Sequence, residues 1–158
     1  IQKGQLQRNF QGYSTQGGTQ TIGIGLTSIG GGKDYYAQNY KDLTQYQEAL
    51  DNHRLPFAKG IRLSNEDKIR KAVIMQLMSN FKLDFSTINQ QFAFDFKEHF
   101  KEALEELKPL EEEGLVEINA KGIWVSETGA LLIRNIVMPF DAYLKKFNTN
   151  QKVFSKTI

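Results

Sequence analysis

Two histidines and a cluster of glycines are the first residues of this chain that could carry out chemistry. His53 and His99 are far apart in the sequence, so no H-x-x-x-H or H-E-x-x-H zinc motif is present. The glycines at positions 23–32 match neither common phosphate-binding motif. Ser28 stands where the dinucleotide motif needs its third glycine, and the Gly-Lys pair is followed by Asp34 instead of Ser or Thr. We therefore predict no metal site and no nucleotide-binding loop of these two types.

Cysteine is absent from all 158 residues. Because thiolates hold most iron–sulfur clusters, this chain alone is predicted to bind no such cluster, and it can form no disulfide. With 40% hydrophobic residues the chain is long enough for an ordinary core, and a net charge of +2 is too small to predict nucleic-acid binding. No apolar run is long enough to span a membrane, and residues 1–5 lack the apolar core of a signal peptide. We expect a cytoplasmic protein, and a start at Ile1 indicates a piece of a longer one.

Residues 1–33 are rich in Gly, Gln and Thr and show no helical periodicity. Residues 21–27 alternate Ile or Leu with Gly, which predicts a β-strand that the glycines of positions 30–32 terminate. A strand face made of glycine allows another backbone, or a ligand, to approach closely, and both readings stay open. The apolar, unpaired edge also predicts either self-association through residues 20–30 or weak order before residue 34.

Helical periodicity dominates the rest of the chain, apart from one predicted hairpin. Ser64 and Asp67 have the spacing of a capping box, which marks the start of the best-defined helix. The predicted elements are a helix over 39–51, a loop over 52–63, a helix from residue 64, a short helix over 86–91, a helix from 92 or 94 to 113, a hairpin of 115–118 with 123–125, and a last helix from Ser126 that Pro139 kinks or splits. The fold class is α+β and mainly helical, with the element order of a winged-helix-like domain.

Winged helices often bind DNA through their third helix, so DNA binding is a competing function. Here residues 95–113 contain eight acidic side chains and only three lysines. Since DNA binding depends on cations that neutralise phosphates, such a helix would repel DNA. We predict no nucleic-acid partner.

Four stretches are more specific than any of these patterns, and they occur in a fixed order. They are Arg8-Asn9-Phe10-Gln11-Gly12-Tyr13-Ser14-Thr15-Gln16, Gly23-Ile24-Gly25-Leu26-Thr27-Ser28-Ile29, Tyr36-Ala37-Gln38-Asn39, and Leu132-Ile133-Arg134-Asn135-Ile136 with Phe140-Asp141-x-Tyr143-Leu144. Together they resemble the C-terminal part of the bacterial oxygen-independent coproporphyrinogen III oxidases (dehydrogenases), a radical S-adenosylmethionine (SAM) family of haem biosynthesis. The resemblance implies a truncated, β-rich arm from the end of a radical SAM barrel (1–38), a connecting helix and loop (39–63) and a helical C-terminal domain with a hairpin (64–158).

The resemblance also implies a function. Enzymes of this family oxidatively decarboxylate two propionates of coproporphyrinogen III to vinyl groups, giving protoporphyrinogen IX, with a [4Fe-4S] cluster and SAM as cofactors. The cluster would be bound ahead of residue 1, so we expect this chain alone to be inactive and to contain no catalytic residue. A related haem-chaperone branch is an alternative, but its members commonly lack the Asn9–Tyr13 pattern.

By the same resemblance, Phe10, Gln11 and Ile29 help to bind a second SAM beside the first. Phe and Ile would give apolar contact and Gln a hydrogen-bond donor and acceptor. In the competing structural interpretation, Phe10 and Ile29 belong to the core and Gln11 is a polar residue at a strand edge. The expected partners of the whole enzyme are coproporphyrinogen III and SAM, with no nucleic acid and no membrane.

Overall fold

The structure, a computed structural model, describes residues 7–9, 12–14 and 19–147. The chain divides into two compact units. Residues 16–68 form the first, here called the glycine-loop unit, and residues 69–158 with 1–15 form the second, the helical unit. Within the described residues, no helix combines the length and the apolar character that crossing a membrane would require.

The glycine-loop unit contains a three-stranded antiparallel sheet of order β3-β4-β5 and one helix. Its elements are β3 (Ile29–Gly31), β4 (Tyr35–Asn39), α1 (Leu43–Asp51) and β5 (Phe57–Arg62). Asp42 caps α1 by accepting a hydrogen bond from the Gln45 N–H at 2.9 Å, as a short acidic side chain at this position commonly does. Ala37 and Asn39, which share one face of β4, are its buried residues, and the pairing of β4 with β5 shifts register between Gln38 and Asn39.

Two predictions for this unit are wrong. The strand expected over 21–27 is absent, because Thr21 forms only an isolated bridge to Gly31 and the chain turns at Gly25 (φ 91°) and Thr27 (φ 61°). Positive φ is incompatible with an extended strand, and here it bends the segment into a loop. The strand begins instead at Ile29 and includes two of the glycines that were expected to end it. A Cβ at Gly30 would lie 2.8 Å from the Thr21 carbonyl oxygen, which explains why a glycine occupies this strand position.

The region between residues 39 and 63 also differs from its prediction. The predicted helix exists but begins at Leu43, because Asn39 belongs to β4 and Asp42 is the N-cap of α1. The predicted loop over 52–63 contains β5, an edge strand whose six residues are all exposed. Exposure on both faces removes the alternation of apolar and polar residues by which strands are recognised in a sequence.

The helical unit follows the predicted order of elements more closely. It contains α2 (Asn65–Asn80, which starts in the glycine-loop unit), β6 (Lys82–Asp84), α3 (Phe85–Phe92), α4 (Phe96–His99), α5 (Lys101–Glu112), β7 (Val116–Ile118), β8 (Gly122–Val125), α6 (Glu127–Leu131), α7 (Ile133–Val137), a 3-10 turn (Met138–Phe140) and α8 (Ala142–Phe147), together with the hairpin β1 (Gln7–Asn9) and β2 (Gly12–Ser14). The predicted capping box is confirmed, because the Ser64 N–H donates to Asp67 Oδ2 at 2.8 Å and the Asp67 N–H to Ser64 Oγ at 3.1 Å.

The core of the helical unit consists of aromatic and aliphatic side chains from nearly every element. Phe96 is fully buried, stacks on Phe85 with ring centroids 4.5 Å apart and lies 4.8 Å from the Phe100 ring. The buried members are Val73, Leu77, Leu83, Phe85, Ile88, Phe96, Phe100, Ala103, Leu107, Val116, Ile123, Ile133, Ile136, Val137 and Phe140. These helices and the small sheet therefore share one hydrophobic core.

Three features of this unit differ from the sequence prediction. The helix expected over 92–113 is split, since Ala93 (φ 56°) ends α3, Asp95 caps α4 and a break at Phe100 precedes α5. The predicted hairpin is confirmed as β7 and β8, but a third strand, β6, pairs with β8 to give the order β6-β8-β7. The last helix is broken at the 3-10 turn that contains Pro139, as predicted, and also at Leu132. The mixed helix and strand content agrees with the predicted class, and residues 19–147 contain no closed barrel.

Candidate cofactor-binding loop

Ile29 is the first residue of β3 and is paired with Gln38 of β4. Its side chain is 37% exposed, so it is not a core residue of the glycine-loop unit. This exposure favours a contact surface over the competing interpretation of Ile29 as core. Phe10 and Gln11, the other two predicted SAM contacts, lie outside the described residues, so their predicted roles stay predictions.

The glycine loop, defined here as residues 21–28, leads directly into Ile29. Ile22 and Ile24 are 80% and 86% exposed, and a Cβ at Gly25 would meet only Ser28 Oγ, at 3.9 Å. At Gly23, in contrast, a Cβ would lie 3.1 Å from the Gly30 nitrogen. The close approach that the glycines were expected to permit is therefore made by another backbone at Gly23, while the space beside Gly25 is open.

Side chains from outside the loop hold its backbone in place. The amide of Asn39 donates to the carbonyl oxygens of Gly23 (3.1 Å) and Gly25 (2.9 Å), and the Gly25 N–H donates to the Tyr46 hydroxyl (3.2 Å). The Ser28 hydroxyl lies 2.5 Å from the Ile24 carbonyl oxygen and 2.8 Å from that of Gly25. The loop contains no charged residue, so it offers apolar side chains and open space rather than charge.

The sequence reasoning did not identify Asn39 and Tyr46 as parts of this loop. Asn39 is only 2% exposed, and it occupies the inward face of β4 together with Ala37. An amide at an inward strand position is the available signal, because a buried polar side chain must find hydrogen-bond partners. Burial in β4 alternates, with Ala37 and Asn39 inward, but Asn39 is polar, so the sequence shows no apolar residue at this inward position.

No metal site is formed by the described residues, in which no three His, Cys, Asp or Glu side chains lie close enough to hold an ion. His53 lies just beyond α1 with φ 54°, and the exposed His99 packs on the rings of Phe94 and Phe100 at 4.7 and 4.8 Å. In the acidic triplet, Glu111 accepts a hydrogen bond from the Ile118 N–H at 2.8 Å and so connects α5 to β7. The ring packing of His99 and the hydrogen bond of Glu111 give these two residues structural roles.

Asp84, which caps α3 in the helical unit, is a titratable group with a shifted pKa. Hydrogen bonds from the Ser86 hydroxyl first, and then from the Thr87 N–H, hold the pKa of Asp84 below its ordinary value. Both bonds favour the charged carboxylate. This arrangement is typical of a helix N-cap and gives no sign of acid–base chemistry.

Comparisons with known proteins show which family this chain resembles. Residues 63–132 match the family model of the HemN C-terminal domain. All 158 residues are 58% identical to 34% of an oxygen-independent coproporphyrinogen III oxidase from Helicobacter pylori (strain J99). The match to the protein of the same name from Salmonella typhimurium is 46% identical over 99% of this chain and 34% of that protein.

A solved structure agrees with the sequence matches. Coproporphyrinogen III oxidase (HemN) from Escherichia coli, described as a radical SAM enzyme, matches 89% of this chain and 32% of its own chain with a TM-score of 0.85 and 48% identity. Over its full length the chain is therefore similar to part of the oxygen-independent coproporphyrinogen III oxidases. It spans about one third of the length of the curated relatives described above.

Proposed function

We propose that this chain acts as the C-terminal third of an oxygen-independent coproporphyrinogen III oxidase. The reaction is the oxidative decarboxylation of two propionates of coproporphyrinogen III to vinyl groups, which gives protoporphyrinogen IX. The observation that carries this proposal is 58% identity over the entire chain to an enzyme of that name. The proposed partners are coproporphyrinogen III and SAM, and the proposed location is the cytoplasm.

The chain's residues fit the two cofactors of a radical SAM enzyme differently. A [4Fe-4S] cluster does not fit, because its usual ligands are cysteine thiolates and residues 1–158 contain no cysteine. The proposed cluster ligands therefore lie in the part of the enzyme outside residues 1–158. A SAM site at Ile29 is supported by the exposed apolar side chain of that residue and, separately, by the open space beside the Gly25 backbone.

The proposed second SAM site consists of Phe10, Gln11 and Ile29. Ile29 would pack against the apolar part of SAM, and the Gln11 amide would hydrogen-bond one of its polar groups. Two observations on the described residues support this site. Ile29 is exposed, and a Cβ added at Gly25 would have no neighbouring atom closer than 3.9 Å. SAM bound there would supply a sulfonium group, and these three residues would hold and orient it.

The helical unit is proposed to be a winged-helix-like domain that does not bind DNA, and residues 1–38 an arm from the end of the barrel. The order α2, β6, α3, α5 and the β7–β8 hairpin, with the sheet order β6-β8-β7, supports this assignment. The acidic residues of α5 argue against DNA, since Glu102, Glu105 and Glu106 lie on a helix with only two lysines. We propose that this domain covers the substrate side of the barrel.

The experiment that tests the site uses the full-length oxidase with Gln11→Ala or Ile29→Arg. Loss of a neutral hydrogen bond at Gln11 is expected to cost about 0.5–1.5 kcal/mol, or up to roughly tenfold in SAM affinity. Ile29→Arg should do more harm, because it either buries an unpaired charge or displaces the cofactor.

Ile61→Arg is the matched control, because Ile61 is a similarly exposed residue (44%) on β5 of the same sheet. We expect both site variants to keep the cluster absorbance while porphyrinogen decarboxylation falls, and Ile61→Arg to keep both. Normal turnover and normal SAM stoichiometry in both site variants would show that Gln11 and Ile29 are structural.

A further inference from the structure

Asn39 is the buried polar residue on which the glycine loop depends. Its side-chain nitrogen lies 3.1 Å from the Gly23 carbonyl oxygen and 2.9 Å from that of Gly25. Both partners can only accept hydrogen bonds, so both N–H groups of the amide are used as donors. An aspartate of the same shape would instead bring a carboxylate oxygen against two carbonyl oxygens.

Packing contributes little to the shape of this loop. Ile22 and Ile24 are almost fully exposed, so the loop is held mainly by hydrogen bonds. Besides the two bonds from the Asn39 side chain, the Asn39 N–H donates to the Ser28 carbonyl oxygen and the Thr27 N–H to that of Tyr40, each at 2.9 Å. Two of these bonds come from the buried Asn39 side chain, which should therefore decide whether the loop keeps this conformation.

The loop backbone lies directly against Ile29. A Cβ at Gly23 would be 2.9 Å from Ser28 Cβ and 3.1 Å from both the Ile29 carbonyl carbon and the Gly30 nitrogen. A loop that moves must therefore move away from Ile29 or against it. In either case the surface formed by Ile29 and the open space at Gly25 would change.

We infer that Asn39 is a positioning residue for the second SAM: by fixing the glycine loop it holds Ile29 and the space beside Gly25 in the conformation that receives the cofactor. This inference rests on the proposed function, because it assumes that Ile29 contacts SAM. Asn39 itself acts through the loop. If only part of the molecules keep the competent loop, the apparent SAM affinity falls by that fraction.

The first measurement is amide hydrogen exchange of the full-length oxidase with Asn39→Asp. Loss of two buried hydrogen bonds should raise exchange of the peptide that covers residues 21–28 by about tenfold or more. Asn52→Asp is the matched control, because the exposed Asn52 donates to one carbonyl oxygen, that of Glu48, at 2.7 Å in the same unit. It should leave the loop unchanged, and normal exchange in Asn39→Asp would overturn the inference.

Asn39→Ala is a second variant that separates a local effect on the loop from general unfolding, because it removes both donors without adding a charge. If Asn39→Asp also raises hydrogen exchange of the peptide over 57–62, the exchange of Asn39→Ala tests the inference instead. If Asn39→Ala raises exchange of the peptide over 21–28 but not of the peptide over 57–62, the inference is supported. Equal release of both peptides would mean that Asn39 merely stabilises the whole unit, and the inference would be wrong.

The second measurement is SAM binding by equilibrium dialysis, which a merely structural role of Asn39 would not change. We expect Asn39→Asp to weaken the second SAM by about tenfold while the cluster absorbance and the unfolding midpoint match those of Asn52→Asp. If Ile29→Arg weakens SAM but Asn39→Asp does not, only this inference fails. If neither variant weakens it, the proposed SAM site fails as well.

Discussion

Gly122 offers a sharp test of the fold, because it is the point where β8 approaches β6 most closely. Its register partner is Asp84, and an added Cβ would collide with the Leu83 carbonyl oxygen. The same Cβ would lie 3.1 Å from the Leu83 carbonyl carbon and 3.3 Å from the Asp84 Cα. All three are backbone atoms, so no side-chain rotation can relieve the contact.

Gly122→Ala is therefore expected to push β6 away from β8. Overpacking of this kind costs about 1–3 kcal/mol, and each ladder hydrogen bond that is lost adds about 1 kcal/mol. Ala also restricts the unfolded chain, which offsets about 0.4–1 kcal/mol. With one such bond lost, we expect the free energy of unfolding to fall by about 1–4 kcal/mol, and Tm by roughly 2–4 °C for each kcal/mol in a chain of this size.

Urea unfolding of the 158-residue chain measures this effect. Trp124, the single tryptophan, lies on β8 opposite Lys82, so its fluorescence reports on the β6–β8 pairing. Lys121→Ala is the control, because that side chain is exposed and should change stability by less than about 0.5 kcal/mol. If Gly122→Ala unfolds at the same urea concentration as Lys121→Ala, the close pairing of β6 with β8 is wrong.

Four further predictions follow from the sequence and the structure. The chain alone should stay colourless after anaerobic iron–sulfur reconstitution; a visible cluster band together with SAM cleavage would contradict this. It should not shift duplex DNA on a gel at physiological salt, and a salt-sensitive shift at micromolar protein would refute the argument from the acidic helix. Ser86→Ala should raise the pKa of Asp84 towards its ordinary value in an NMR titration, whereas an unchanged pKa would exclude Ser86 as the main cause. Because this pKa is lowered by folding, its contribution to stability is present above the unfolded-state pKa and lost as the pH falls through the folded-state value. If residues 20–30 mediate self-association, Ile24→Arg should shift the chain towards the monomer in sedimentation; an oligomer unaffected by that change would argue against this contact.

The parts of the fold that were predictable have strong local signals. The capping box at Ser64 and the four-residue spacing of buried side chains such as Val73 and Leu77 predicted α2, and two apolar segments around a turn predicted the hairpin β7–β8. Each of these signals lies within a few neighbouring residues, so the sequence alone carries it.

The parts that were missed depend on contacts between distant residues. β6 has three residues, too few for a periodicity, and it is a strand because β8 pairs with it about forty positions later. The loop at 21–28 alternates like a strand but is bent by bonds from Asn39 and Tyr46. The site prediction came from resemblance and stays a prediction; among the described residues it named Ile29 but not Asn39, whose side chain donates hydrogen bonds to Gly23 and Gly25.

The most direct test of the proposed function is a chimera. The C-terminal third of the Helicobacter pylori oxidase would be replaced by residues 1–158 of this chain, and anaerobic conversion of coproporphyrinogen III would be measured after reconstitution of the cluster. We predict that the chimera binds SAM and decarboxylates both propionates, giving protoporphyrinogen IX. A chimera that folds and holds its cluster, yet leaves coproporphyrinogen III unchanged, would contradict the assignment of this chain to the working enzyme.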